Sequence, residues 1–355
     1  MSITITEVEL FRKYFAGNTL SKGKHIYKGQ PKKGQKEEGK SFTVKEAVTV
    51  QNYQTHLEGT EGLGIVPINN QSKCRFFVID VDDYSGGVMK LVDKIYSNGF
   101  PLIPFQSKSK GLHIYGFLDG FYPADKVVEI AQEFLPVLGL HHNIEIFPKQ
   151  TKLSTGQVGN WINLPYFSAE KGHQALILAD GSLMPFMEFV YTLDSSKHSL
   201  ESYAEFLSEV QLSDAPPCLQ SIFYDKDTKY RNEFLFSMCR YLKSKDGDDF
   251  EFSIHKFNNE LSRPVPGNEL TALINSHKKK DYSYRCNQEP IVSCCNKRLC
   301  AKRKYGIGGD DVSELSFEDF IQHQSDPPYY EWIINGMPMK FYTETDIINQ
   351  AKDLL

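Results

Sequence analysis

The chain has 355 residues, 40 Lys and Arg against 45 Asp and Glu for a net charge of −5, and 40% hydrophobic residues including 24 Phe and 19 Tyr. That composition excludes a disordered or low-complexity protein, and the length holds two or three domains with cores of their own. No apolar run approaches the ~20 residues that span a bilayer, and the start MSITITEVELF has neither a basic leader nor a cleavage pattern, which predicts a cytoplasmic protein without a membrane partner.

In chain order, the first signal is basic. Between residues 22 and 40 lie seven Lys, two Glu, four Gly and a Pro, which reads as a basic loop able to close on a phosphate backbone through Lys28, Lys32 and Lys33. The stretch FFVIDVDD at 76–83 then predicts a strand whose alternation puts Asp80 and Asp82 on one face. Two adjacent carboxylates repel unless a cation sits between them, and hard oxygen donors suit Mg²⁺ or Mn²⁺.

PFQSKSKGLHIYGF at 104–117 follows. Ser107, Ser109, Lys108, Lys110 and Gly111 form a loop running into a strand, offering hydroxyls, ammonium groups and close backbone N–H approach to a triphosphate; His113 would donate to a phosphate oxygen. In NIEIFPKQ at 143–150, Glu145 supplies a third carboxylate and Lys149 a nearby cation. In GNWINLPYF at 159–167, Asn160 and Asn163 read as capping a turn before Pro165. Three acids, a His/Ser phosphate loop and a lysine are the parts that two-metal phosphoryl transfer requires.

From 186 to 213 the pattern is helical, with an apolar stripe through Leu200, Tyr203, Phe206 and Leu207, and Asp214–Cys218 reads as a break. RNEFLFSMCRYLK, FEFSIHKFNNEL and NELTALINSH predict three further helices. The region 278–304 is basic, with Lys278, Lys279, Lys280, Arg285, Lys297, Arg298, Lys302, Arg303 and Lys304 opposed by Asp281 and Glu289; interleaved tyrosines would stack bases, and Lys278, Lys279, Arg298 and Arg303 are its candidate nucleic-acid contacts. Four of the seven cysteines fall here. An odd total suits a reducing cytosol and a metal site better than a disulfide framework. His277, Cys286, Cys295 and Cys300 have the spacing His-x8-Cys-x8-Cys-x4-Cys of a closed tetrahedral zinc site, with Cys294 the alternative to His277 and an iron–sulfur cluster the rival metal. Cys74, Cys218 and Cys239 stand isolated and read as structural.

In order and wording, FFVIDVDD, SKSKGLHIY and IEIFPKQ resemble the archaeo-eukaryotic primase superfamily, which shows an acidic strand, a small-residue/x/His strand and a third acid. The resemblance is to the primase-polymerases of phages and mobile elements, with Glu145 where Asp is commoner. It implies an α+β catalytic core, an α/β part packed with an RRM-like sheet, followed by an all-helical domain and a small zinc-binding module. It also implies Asp80, Asp82 and Glu145 as ligands of two Mg²⁺ or Mn²⁺ ions, Ser109 and His113 on the nucleotide phosphates, and Lys149 and Asn163 as further nucleotide contacts; Asp83 is the alternative acid. The expected division is a catalytic domain at 1–212, a helical domain at 213–276, the basic zinc module at 277–310 and an extension at 311–355.

The expected partners are single-stranded DNA template and dNTPs or NTPs. A helicase often follows in relatives, so a replicative helicase in cis or trans is expected too, although KYGIGGDD lacks the Lys and hydroxyl of a P-loop. Two other classes share parts of the pattern: a DxD glycosyltransferase, and a non-catalytic single-strand-binding protein with an RRM-like sheet and zinc module.

Overall fold

The computed structural model describes residues 3–27, 39–82, 87–108, 111–154, 156–225, 229–307, 320–323, 329–334 and 337–342. The chain divides into two compact units, Met1–Val210 and Gln211–Leu355.

The first unit is α+β. It runs α1 (Ile5–Tyr14), β1 (Lys22–Tyr27), β2 (Gly39–Val44), α2 (Val50–Leu57), β3 (Gly64–Ile65), β4 (Lys73–Val81), α3 (Val88–Ser97), β5 (Ile103–Gln106) and β6 (Leu112–Pro123). It continues through α4 (Ala124–Leu138), β7 (Glu145–Phe147), β8 (Ile162–Asn163), α5 (Phe186–Thr192), β9 (Lys197–His198) and α6 (Leu200–Glu209). Local chemistry sets the ends. Thr4 and Glu7 form a reciprocal capping box at the start of α1, with Thr4 N–H donating to Glu7 Oε2 at 2.7 Å. Gly139, at φ 72°, takes the left-handed turn that stops α4.

Two sheets result. One has the order β5-β6-β4-β7 with antiparallel neighbours, and β9 pairs parallel with β6; the other has the order β2-β1-β3-β8. Strand alternation gives the first sheet two apolar faces. Phe77 packs on Phe134 of α4 and Tyr203 of α6. Phe76, Val78, Phe105, Tyr115, Phe117 and Phe147 enter a common core with Ile65, Ile162 and Leu164 of the second sheet and with α1 and α5. The strands are therefore apolar on both sides, which is why this stretch reads as a run of β-formers rather than a clean alternation.

The arms of the basic segment 22–40 are strands, β1 and β2, paired from Lys22↔Val44 to Tyr27↔Gly39. A loop alone was expected; the alternating residues flanking it are taken up by the second sheet instead. Lys28, Lys32 and Lys33 lie outside the described residues, as do Asp83, Ser109 and Lys110. The predicted helix over 186–213 is broken into α5 and α6 by a 3-10 turn and β9. Its apolar stripe holds, with Tyr203 and Leu207 buried.

The second unit contains α7 (Pro217–Asp225), α8 (Arg231–Asp246), α9 (Phe250–Glu260), α10 (Gly267–Lys279) and the single turn α11 (Lys297–Cys300). Their core joins Leu219, Phe234, Leu235, Met238, Tyr241, Phe250, Ile254, Leu270 and Ile274. The predicted break at Asp214–Cys218 ends sooner than expected, because Pro217 occupies the first position of α7, where its fixed φ suits a helix and its missing N–H costs nothing. Beyond the helices, β10 (Phe320–His323), β11 (Tyr329–Ile334) and β12 (Met337–Phe341) form an antiparallel meander where only an extension was expected. Among the described residues no helix is long and apolar enough to cross a membrane.

Candidate active site

Asp80 is the next-to-last residue of β4, and both of its cross-strand neighbours are polar: His113 of β6 on one side and Glu145 of β7 on the other. Residues directly opposite in an antiparallel pair share a face. His113, Asp80 and Glu145 thus form a row across three strands, on the face that otherwise enters the inter-sheet core. Two residues back along each strand the same positions are Tyr115, Val78 and Phe147. The row is where the apolar face ends.

The row grades from buried to exposed. The side chain of His113 is 8% exposed and that of Asp80 16%, with His113 Nε2 3.4 Å from Asp80 Oδ1. That oxygen is buried and makes no hydrogen bond among the described residues. Glu145, 57% exposed, is paired with Lys149 at 2.8 Å, whose ammonium also lies 5.0 Å from the Phe147 ring centre. Asp82 follows the strand end and is exposed. A buried carboxylate oxygen without a hydrogen bond is costly, and a cation is one way to satisfy it. Asp80, Asp82 and Glu145 are hard oxygen donors of the kind Mg²⁺ or Mn²⁺ takes, so the donor set fits. Among the described residues no three His, Cys, Asp or Glu side chains converge closely enough to enclose an ion as they stand.

The turn between β5 and β6 is drawn tightly against the strand end. Ser107 N–H donates to Gly111 O at 3.0 Å, and Gly111 N–H donates back to Ser107 Oγ at 3.0 Å. A Cβ on Gly111 would fall 2.2 Å from Val81 O and 3.2 Å from Asp82 Cα. Only glycine lets this turn touch the backbone that carries the two aspartates. Ser107 is buried and acts as the clasp of the turn.

From the second sheet, β8 reaches the row. The Tyr115 hydroxyl donates to the main-chain carbonyl of Asn163 at 3.3 Å. Burial, and then the nearby Asp80 carboxylate, pushes the Tyr115 phenol well above its ordinary range, so it stays a donor. The neighbouring Trp161 lies over two glycines that face each other in register, Gly23 of β1 and Gly64 of β3; a Cβ on either would fall 1.9 or 2.2 Å from the indole. Asn160 hydrogen-bonds with Gln150, its N–H donating to Gln150 Oε1 at 2.8 Å, so it braces the segment after Lys149 rather than standing free.

Asp80, His113, Glu145 and Lys149 are thus brought together, with Ser107 and Asn163 at the edges. Tyr115, Gly111 and Trp161 belong to the same structure and were not anticipated as site residues. An in-register Gly–Gly pair beneath a Trp is a signal only once the strand pairing is known.

An α+β core with a sheet-borne row of acids beside a histidine defines a primase-like nucleotidyltransferase. The chain belongs to the family described as the TOTE conflict system, Archaeo-Eukaryotic Primase domain, which matches residues 6–205, more than half its length. No curated protein matches the chain. The family uses divalent metals and acts on nucleotides and nucleic acid.

Among the described residues, those expected in the zinc module form no group of three that could hold a metal ion. His277 is 1% exposed in α10; its Nδ1 lies 3.1 Å from Leu273 O, and its ring packs 4.6 and 4.8 Å from those of Phe236 and Tyr282. Its other ring nitrogen, Nε2, is buried and makes no hydrogen bond among the described residues. The expected His277 ligand thus sits between the Phe236 and Tyr282 rings. Arg303 is also corrected: it is 8% exposed, with Nη2 donating to Gln220 Oε1 at 3.3 Å, which makes it a structural tie and not a phosphate contact. Lys278 pairs with Glu251, while Lys279 and Arg298 are exposed.

Proposed function

We propose that the protein is a DNA primase-polymerase that joins nucleotides on a single-stranded DNA template, starting chains de novo and extending them, in the replication of a phage or mobile element. The observation that carries this reading is the His113–Asp80–Glu145 row, with an unsatisfied buried carboxylate oxygen at its centre.

When bound, two divalent cations supply a lowered pKa at the primer 3′-hydroxyl and neutralise charge at the departing pyrophosphate. Asp80, Asp82 and Glu145 are the residues that would hold them. Antiparallel pairing of β4 with β7 keeps Asp80 and Glu145 side by side. His113 donates to a phosphate oxygen, and Lys149 offers a positive charge beside it once released from Glu145. Ser109 and Lys110 bind the remaining triphosphate oxygens, and Asn163 borders the nucleotide. In the second unit the Cys-rich segment and the helices hold the template and initiating nucleotide, with exposed Lys279 and Arg298 on the phosphate backbone and a replicative helicase as partner.

The test is incorporation of labelled dNTPs and NTPs on unprimed single-stranded DNA and on a primed template, with Mn²⁺ or Mg²⁺. Products on both templates, lost in the Asp80→Ala/Asp82→Ala double variant, support the reading. Primer extension alone removes the de novo step. DNA binding with no product on either refutes catalysis and leaves a binding protein; template-free turnover of sugar nucleotides makes it a glycosyltransferase.

A further inference from the structure

We propose that Trp161 is a stacking platform for a base of the single-stranded template, set on the outer face of the second sheet and held in fixed register with the His113–Asp80–Glu145 row. The inference rests on the nucleic-acid part of the proposed function and not on its chemistry.

The seat of the ring is built by strand register. Ile162 and Leu164 enter the common core, so alternation sends Trp161 and Asn163 to the opposite face. There Thr43, Gly23, Gly64 and Asn163 line up across β2, β1, β3 and β8. The two central positions carry no side chain, and the indole covers both. A Cβ on Gly23 would fall 1.9 Å from Trp161 Cδ2, and one on Gly64 2.2 Å from Cε3. Both glycines are buried beneath the ring, whereas Trp161 itself is half-buried. With its glycine side covered, the part of the indole left open is its outer face and rim. Glycine weakens a strand unless something must approach the backbone closely. Here the ring makes that approach, and it offers a π-face to whatever lies above.

A ring over glycines is also how a sheet covers its own backbone. The surroundings of this one are those of a nucleic-acid site. The residue before it, Asn160, donates its N–H to Gln150 Oε1 at 2.8 Å, and Gln150 directly follows Lys149. Two residues after it, the Asn163 carbonyl accepts from the Tyr115 hydroxyl at 3.3 Å, and Tyr115 is two residues along β6 from His113. Gly159 presses the approach onto the core, since a Cβ there would fall 2.7 Å from Val66 and 2.8 Å from Ile68. The ring is thus fixed before a base arrives, and stacking on it costs little ordering. Beside it, the half-buried Asn163 side chain brings amide donors and an acceptor for a base edge.

Charge and position select the occupant. The strands that supply Gly23 and Thr43 are the arms of the basic segment. Lys22 and Lys24 pair with Glu46 and Glu61, and the sequence between the arms adds Lys28, Lys32, Lys33 and Lys36 against Glu37 and Glu38. An aromatic face beside such a charge suits bases joined by phosphates, and it takes any base because every base has a π-face. The acidic row ends the core between the sheets, while the ring lies on the far face of the second sheet. The two therefore receive different parts of the substrate, the row the reacting triphosphate and the ring the strand.

The test uses the full chain carrying Trp332→Phe, which leaves Trp161 as its only tryptophan. Oligothymidylate and an abasic strand of equal length are titrated in, with binding followed by anisotropy of end-labelled strands and stacking by tryptophan emission with unlabelled ones. Saturable quenching by oligothymidylate and none by the abasic strand is expected. Trp161→Leu still covers the glycines but has no π-face. It should weaken oligothymidylate binding about 5- to 150-fold and leave the abasic strand within about twofold, and Trp161→Phe should recover most of the loss. Strand binding without quenching, or oligothymidylate binding by Trp161→Leu equal to the parent's, overturns the platform and leaves the catalytic reading standing. Quenching by a free dNTP as strong as by the strand overturns the assignment to template. No strand binding by the parent overturns both this inference and the nucleic-acid reading beneath it. Because a substitution at Trp161 can disturb the sheet, quenching measured with the ring in place decides independently.

Discussion

Gly111→Ala tests whether the turn between β5 and β6 positions the acids. The added Cβ would fall 2.2 Å from Val81 O, a backbone atom between the two aspartates, so no rotamer relieves the clash. Restoring an ordinary contact of 3.4 Å requires a shift of ~1.2 Å, and a misplacement of about 1 Å at a reacting centre costs on the order of 100-fold in rate. The stability cost is that of local overpacking, about 1–3 kcal/mol, or a fall in Tm of ~2–10 °C for a unit of this size. The control is on the strand that follows: a Cβ on Gly120 of β6 meets Tyr122 at an ordinary 3.8 Å, so Gly120→Ala should behave as the unsubstituted protein does. The assay is steady-state incorporation on a primed template, with thermal unfolding in parallel. Activity of folded Gly111→Ala within about threefold of the parent would refute positioning by this turn.

Asp80→Asn should lower incorporation roughly 1000-fold, the scale of a lost metal ligand. Since Asp80 Oδ1 makes no hydrogen bond to lose, its Tm should stay within about 3 °C; a collapse of the fold would show the carboxylate to be structural. Gly64→Ala drives the Trp161 ring from its seat, so tryptophan emission, measured with Trp332 replaced by Phe, should shift to the red, and an unchanged spectrum would place the indole elsewhere. His56 is held neutral, Nε2 donating to Pro165 O at 2.8 Å and Nδ1 accepting from Leu63 N–H at 3.0 Å, and burial lowers its pKa to about 4. The unfolded chain protonates this group first as pH falls through ~6.5, so stability is full above that value and is lost on the way down to ~4, by roughly 3 kcal/mol. His56→Gln should flatten that part of the pH–stability profile, and an unaltered slope would assign it to other groups.

The centre of the site was legible because its chemistry is written in short local patterns. Alternation in FFVIDVDD put Asp80 on a polar strand end, and His113 and Glu145 each stood in a short apolar run that had to be a strand. That the three are mutual neighbours was not legible, since pairing of β4 with both β6 and β7 is a property of the sheet. Tyr115 read as one more core aromatic because its only polar act is a hydrogen bond to a carbonyl 48 residues away. His277 was picked out by its spacing, but intervals along the chain say nothing of the direction of a helix face, and the fold seats its ring against Phe236. The meander of β10 to β12 was missed because its strands are short and follow a stretch with no helical or alternating period.

The three strands of the row come from places in the chain where 33 residues separate Asp80 from His113 and 32 separate His113 from Glu145. No contiguous fragment shorter than β4 through β7 contains the site, and neither half of a chain divided inside β6 would have it. Reassembly of two such halves would restore the row only if the β4–β6 ladder re-formed in register, so recovered incorporation would report strand pairing directly. Under the proposed function, the same arrangement would make the protein a split reporter, in which proximity of two fused partners is read out as newly synthesised nucleic acid.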